Sequence, residues 1–394
     1  MLDFFTFIDD FVWGPPLLVL LVGTGIYLTI RLGLLQIIRL PKAFKLIFAE
    51  DKGEGDISSF AALATALAAT IGTGNIVGVA TAIKTGGPGA LFWMWIAAFF
   101  GMATKYAEGL LAIKFRTLDD QGNVSGGPMY YITHGFSGKW QIIAKPLAYF
   151  FAFAGVLVAW LGIGTFSQVN SITSSLQNSF GWSPKIVSVI LALITAAIIF
   201  GGIQSISKVS EKVVPFMAGL YIIAALIVIF ANFNQLLPVL EMVFQSAFTG
   251  KAAVGGFAGA TVMAAMRLGI ARGVFSNESG LGSAPIAAAA AKTEEPVEQG
   301  LISMTGTFID TIIICTLTGL AILVTGQWSG SLEGAPMTQA AFSSIFGTFG
   351  ELALTLSLVL FAFTTVLGWS YYGERCSNLF SNLPNSSHFI VLSL

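Results

Sequence analysis

Residues 69–83 read ATIGTGNIVGVATAI, placing Thr70, Gly72, Thr73, Gly74 and Asn75 inside an otherwise apolar run. Glycine loosens a helix, and the hydroxyl and amide groups need partners, so this spacing predicts a helix broken at membrane depth. A break exposes two kinds of backbone. The half-helix starting after it presents amide hydrogens and partial positive charge, suited to a carboxylate. The half-helix ending before it presents carbonyls and partial negative charge, suited to a sodium ion or an ammonium group. One interruption can thus hold an amino-acid zwitterion beside a cation. No Gly-Lys-Ser/Thr follows, and the glycine spacing is not that of a dinucleotide fingerprint, which excludes a phosphate-cradling loop.

Such a break needs a bilayer-spanning scaffold, and the composition supplies one. Of 394 residues, 55% are hydrophobic and 10% charged, with a mean hydropathy of +0.82. Soluble domains carry about 25% charged residues, so this chain cannot cover itself with a water-compatible surface. Apolar runs of about 20 residues, enough for one helical crossing, recur at roughly 13–32, 57–83, 89–115, 143–168, 185–203, 213–232, 240–272, 300–325 and 351–373. An all-α polytopic membrane protein with about nine transmembrane segments is expected. With the N-terminus outside, sixteen lysines and arginines fall on the cytoplasmic side and three, Lys84, Lys185 and Lys251, on the other. That is the positive-inside bias of a multi-pass protein, here expected in the plasma or inner membrane. The opening MLDFFTFIDDFVWGPP has no basic n-region and no small-residue cleavage site, so no removable signal is expected. A net charge of −1 points to no nucleic-acid partner.

A second interruption answers the first. Span seven carries GGFAG at 255–259 and runs inward, whereas span two runs outward. Gly-interrupted spans in corresponding places of two halves point to a transporter binding site. Gly255, Gly256 and Phe257 are expected to line it, with Thr261 nearby and a bulky wall favouring small substrates. Other polar residues have plainer readings. Lys105 and Glu108, three apart on one helix face, are expected to pair near the cytoplasm. Asp310, in TGTFIDTIII, is expected to hydrogen-bond a neighbouring helix, proton coupling being the other reading. SNESGLGSAP, 276–285, reads as a cytoplasmic loop whose Ser283 caps the following alanine-rich helix. Cys315 and Cys376 suggest neither a metal site nor a disulfide, and His134 and His388 have no nucleophile or ligand near them, so no enzyme is expected.

GTGNIVGVATAI, GGPGALFWMWIAAFFGMATKYAEGLLAIKFR, GGPMYYI and ARGVFSNESGLGSAPIAAAAA follow one another in this order. Through them the chain resembles the alanine or glycine:cation symporter family over residues 1–375. The resemblance implies a leucine-transporter-like inverted repeat in a single domain: an extra helix at 13–32, a first repeat at 57–232 and a partial second at 240–375. It implies that Gly72, Thr73 and Gly74 hold the substrate carboxylate through backbone amides, with Asn75 bridging substrate and break. Gln168 would contact substrate, Thr165 and Phe166 being weaker candidates beside it, and Trp369 would be a pocket tryptophan. Thr364 and Thr365 would ligate sodium together with the carbonyls of Ala68 and Ile71, oxygen ligands being what so hard a cation needs. Taken without the family, Gln168 reads equally as an interfacial helix end, and the two threonines as hydroxyls bonded back to their own helix.

The function so implied is sodium-coupled symport of a small neutral amino acid, alanine or glycine, into the cytoplasm by alternating access. Sodium is the coupling ion and no further cofactor is expected. Past GERC the family continues with two more helices, whereas residues 376–394 read as a divergent tail, so the second repeat is expected to be incomplete. That motivates a competing expectation, a non-transporting remnant or substrate-binding sensor of the same family. No selectivity-filter pattern argues for a channel. Oligomeric state is left open.

Overall fold

The computed structural model describes residues 11–118, 124–249 and 262–380. Among the described residues five helical stretches are long and apolar enough to cross a membrane: Gly89–Lys114, Gly138–Phe180, Gly202–Ala231, Pro296–Val324 and Thr348–Asn378. A sixth is a pair, Ser59–Thr70 and Gly74–Gly86, bent by 52°. Pro16–Arg31 and Pro184–Ile199 are shorter apolar helices. Large apolar side chains such as Phe150, Leu193, Ile223 and Leu356 are exposed, while Thr65, Asn75, Asp310 and Thr311 are buried. An apolar exterior around a polar interior suits lipid on the outside and hydrogen-bonded partners within.

In chain order the elements are α1 (Pro15–Arg31), α2 (Ser59–Thr70), α3 (Val79–Gly86), α4 (Gly89–Lys114), α5 (Gln141–Leu161), α6 (Phe166–Phe180), α7 (Pro184–Ile199) and α8 (Gly202–Ala231). There follow α9 (Phe233–Thr249), α10 (Val262–Asn277), α11 (Ala284–Ala288), α12 (Pro296–Thr307), α13 (Thr316–Val324), α14 (Gly334–Phe346) and α15 (Thr348–Asn378). Ser58 starts α2 by accepting the Ala61 amide at 3.0 Å, a side-chain cap that fits its extended backbone. The turn into α4 uses Gly87 at φ +74, a conformation glycine adopts without steric cost, and then Pro88.

α4 is the central post. A Cβ on Gly101 would crowd Ser279, one on Gly109 would crowd Ser303, and one on Gly300 would crowd Tyr106, so bare backbone lets α10 and α12 come close. Along α4, Ala90 faces Gly269, Met94 faces Gly273 and Gly101 faces Ser279. α10 therefore runs parallel to α4, away from the end of the bundle marked by Lys84. The α2–α3 pair runs toward that end, so it and α10 point in opposite directions.

The span expected at 240–272 is not one helix. Trp93 donates its indole N–H to the Ala247 carbonyl at 3.2 Å, while Gly269 abuts Ala90. Both residues thus lie against the first turn of α4, whereas a straight helix would hold them about 33 Å apart. The segment is two packed elements, α9 and α10. Gly255, Gly256, Phe257 and Thr261 lie outside the described residues. Arg267 and Arg272 consequently flank the first turns of α4 at the Lys84 end, not the cytoplasmic end expected for them, and the orientation argument loses those two charges.

At the opposite end, Arg116 follows α4 and donates to the carbonyls of Glu54 (2.8 Å), Ala289 (3.0 Å), Ala291 (2.7 Å) and Thr293 (2.8 Å). Parallel bridges pair Lys52 with Thr293 and Ile57 with Ala291. The approach to α2 and the exit from α11 are stitched together there.

Candidate substrate and cation site

The first break lies where the sequence predicts it. α2 stops at Thr70, Ile71 turns extended with ψ 90, and the chain resumes in a π-type stretch, Gly74–Gly78, that runs into α3. Asn75 holds the gap. Its Oδ1 accepts the Gly72 amide at 2.9 Å, and its Nδ2 donates to Asp310 Oδ1 at 2.7 Å. The Gly72 N–H is thereby diverted from Ala68, four residues back, whose carbonyl is its ordinary helical acceptor.

Two side chains converge on that glycine. A Cβ there would come within 2.5 Å of Thr365 Oγ1 and 3.6 Å of Gln168 Oε1. Gln168 donates its amide to the Ile163 carbonyl at 3.0 Å, while its Oε1 is buried without a partner. Thr365 and Thr364 both bond back to the Phe361 carbonyl, at 2.9 and 3.1 Å, the arrangement that two adjacent threonines adopt on their own helix. They differ in what they face: Thr365 meets Gly72, whereas Thr364 sits 3.6 Å from Met217 Sδ on α8. Thr165 donates to the Ala159 carbonyl and Phe166 is exposed, so neither joins the cluster.

Another helix break falls at residues 278–283, between α10 and α11, in the segment read from sequence as a cytoplasmic loop. Asn277, Glu278, Ser279 and Ser283 are all buried. Glu278 adopts φ +56, Gly280 φ +85 and Gly282 φ +78. Ser283 makes no cap; its hydroxyl donates to the Glu278 carboxylate. Lys105 and Glu108 direct their hydrogen bonds to this break, not to a pair near the cytoplasm: Lys105 donates to the Asn277 carbonyl at 2.8 Å, and Glu108 accepts the Gly282 amide at 3.0 Å. Asn277 Nδ2 donates to Thr311 at 2.9 Å, and the Ser279 and Thr307 hydroxyls are 2.9 Å apart. Glu278 Oε1 accepts the Trp369 indole N–H at 3.0 Å.

A second π-type stretch, Phe308–Cys315, joins α12 to α13 and carries Asp310. The two π-type stretches meet at the Asn75–Asp310 hydrogen bond, the helix-to-helix contact expected for Asp310. Asn277, Glu278 and Ser279 escaped the sequence reading. Their signal was indirect: Lys105 and Glu108 project from an apolar helix, and buried charges demand polar partners. A cavity of about 580 Å³ lies to one side, bounded by α5, α10 and α15, and touches the cluster through Trp369 and Ile163.

Residues 1–393 match the sodium:alanine symporter family. The chain belongs to that family. A sodium/alanine symporter, AgcS, of Methanococcus maripaludis is 53% identical over 94% of this chain and 81% of its own length. An uncharacterized transporter of Haemophilus influenzae is 56% identical over 94% of this chain and 80% of its own. A probable sodium/glutamine symporter, GlnT, of Bacillus subtilis is 40% identical over 93% and 75%. The manganese transporter of Eremococcus coleocola has the same fold, with a TM-score of 0.61 at 13% identity over 88% of this chain and 72% of that one. As a member of the sodium:alanine symporter family, the chain is a multi-pass membrane protein that transports amino acids with a coupled cation, and not an enzyme.

Proposed function

We propose that the chain couples inward movement of sodium to uptake of a small neutral amino acid, alanine or glycine, by alternating access around the two helix breaks. The observation that carries this reading is Gln168 Oε1, buried and without a donor, beside Gly72 at the first break. A substrate carboxylate takes the backbone amides at the start of the resumed helix, around Thr73 and Gly74, and its ammonium satisfies the Gln168 carbonyl. Asn75 keeps the break open, and Trp369, next to Gly164, walls the side-chain end. Sodium takes the carbonyls of Ala68 and Ile71 and the Thr365 hydroxyl. Basic residues at the Arg116 end, Lys114 and Arg375 among them, favour a cytoplasmic placement of that end in the cell membrane, with the N-terminus outside. A non-transporting remnant is not favoured, because residues 1–393 match a symporter family. The named substrates of the relatives, alanine and glutamine, make these two the first pair to compare.

Purified protein in proteoliposomes should take up labelled alanine faster when a sodium gradient points inward. Equal rates with and without the gradient would defeat the coupling. Thr365→Ala should raise the sodium concentration for half-maximal uptake about tenfold, the loss of roughly 1.4 kcal/mol of ion binding. Thr364→Ala, facing Met217, should leave it within about threefold. Equal shifts for the two would show that both hydroxyls reach the ion.

A further inference from the structure

We propose that Glu278 is a positioning residue: it fixes the Trp369 indole, and thereby sets which side chains the site accepts. The inference deepens the reading given above, since it takes Trp369 as a wall of the substrate site. Glu278 is 2% exposed and holds φ +56, a left-handed conformation uncommon for a residue with a side chain. Such a residue persists only where its surroundings over-determine it. The carboxylate is what they use. One oxygen accepts the Ser283 hydroxyl from within the same turn; the other accepts the Trp369 indole N–H, at 3.0 Å, from α15.

Trp369 lies one turn beyond Thr365, which faces Gly72. Its Cβ packs on Gly164, where any side chain would collide with it, and its ring meets Tyr372 edge-on at 5.4 Å. Gly164 belongs to the same turn as Ile163, whose carbonyl holds Gln168. The indole is therefore confined by Gly164, in the turn after α5, and by Tyr372 beside it, and its remaining freedom, rotation about the side-chain bonds, is removed by Glu278. Without that acceptor the ring can turn, and the space allotted to the substrate side chain changes. The second break thus reaches the first through one carboxylate and one indole.

The test compares alanine with glutamine in proteoliposomes, reading the ratio of kcat/KM for the two. Glu278→Ala and Trp369→Phe should each lower the alanine preference about tenfold, the effect of one charge-assisted hydrogen bond. The double variant should fall no further than either single change, and Glu278→Gln, which keeps an acceptor, should stay within about threefold. A wild-type ratio in Glu278→Ala or in Trp369→Phe, additive losses in the double variant, or a Gln variant as poor as Ala would each overturn the proposal. A second readout needs no transport. The Trp369 indole N–H resonance, assigned by its disappearance in Trp369→Phe, should move upfield in Glu278→Ala and hold its position in Glu278→Gln. Should Glu278→Ala not fold, Glu278→Met, of similar length and without an acceptor, takes its place. Absence of sodium-driven uptake by the unaltered protein would sink the transport reading alone; an unmoved resonance would sink the positioning role alone.

Discussion

Replacing Lys105 by methionine is expected to destabilise the protein by about 3–5 kcal/mol, the usual penalty for removing one partner of a buried charge constellation. Lys105 is 3% exposed, and its ammonium donates to the Asn277 carbonyl at the C-terminal end of α10. Its charge also acts on Glu108, Glu278 and Asp310, each buried in the same core. Methionine matches the length of the side chain but leaves that carbonyl unpaired and three acidic groups without their cation. Thermal unfolding of purified protein in detergent measures the loss, and Lys105→Arg, which keeps the charge, should recover part of it. A methionine variant that unfolds at the wild-type temperature would show that the carboxylates are compensated from elsewhere.

Gly72→Ala should act on transport far more than on folding. The added Cβ would stand 2.5 Å from Thr365 Oγ1, and moving α15 away from α2 to relieve it would give up the close packing of Gly368 on Ala69. Thr365 must rotate away, which would take its hydroxyl out of the proposed ion site. Overpacking of this kind costs about 2–3 kcal/mol, so alanine uptake should fall on the order of 30- to 150-fold. Adding Thr365→Ala relieves the clash without restoring the ligand, so the double variant should remain poorly sodium-dependent. Gly72→Ala with an unchanged sodium requirement would place the ion elsewhere.

The first break was legible because Gly72, Thr73, Gly74 and Asn75 interrupt an apolar run, and in lipid such an interruption has few other meanings. The Asp310 contact was legible for the same reason: an acid in a span must find a partner. The second break was not. SNESGLGS is as polar as a surface loop, and composition cannot separate a polar turn facing water from one buried against Lys105 and Glu108. GGFAG looked the better candidate only because it sits in apolar surroundings. Nor could spacing tell Thr365 from Thr364, since adjacent positions on a helix differ by about 100° of rotation and only packing decides which faces Gly72.

Arg116 has a mechanical corollary. Its guanidinium holds one carbonyl that precedes α2, that of Glu54, and three that follow α11, and two bridges reinforce the seam. The half of each interrupted helix nearest that end is thus fastened to the other, as two levers bolted to a shared pivot. Whatever motion admits water from that side has to swing both levers as a unit, leaving the hinges at Ile71–Thr73 and Glu278–Gly282 to absorb the bend.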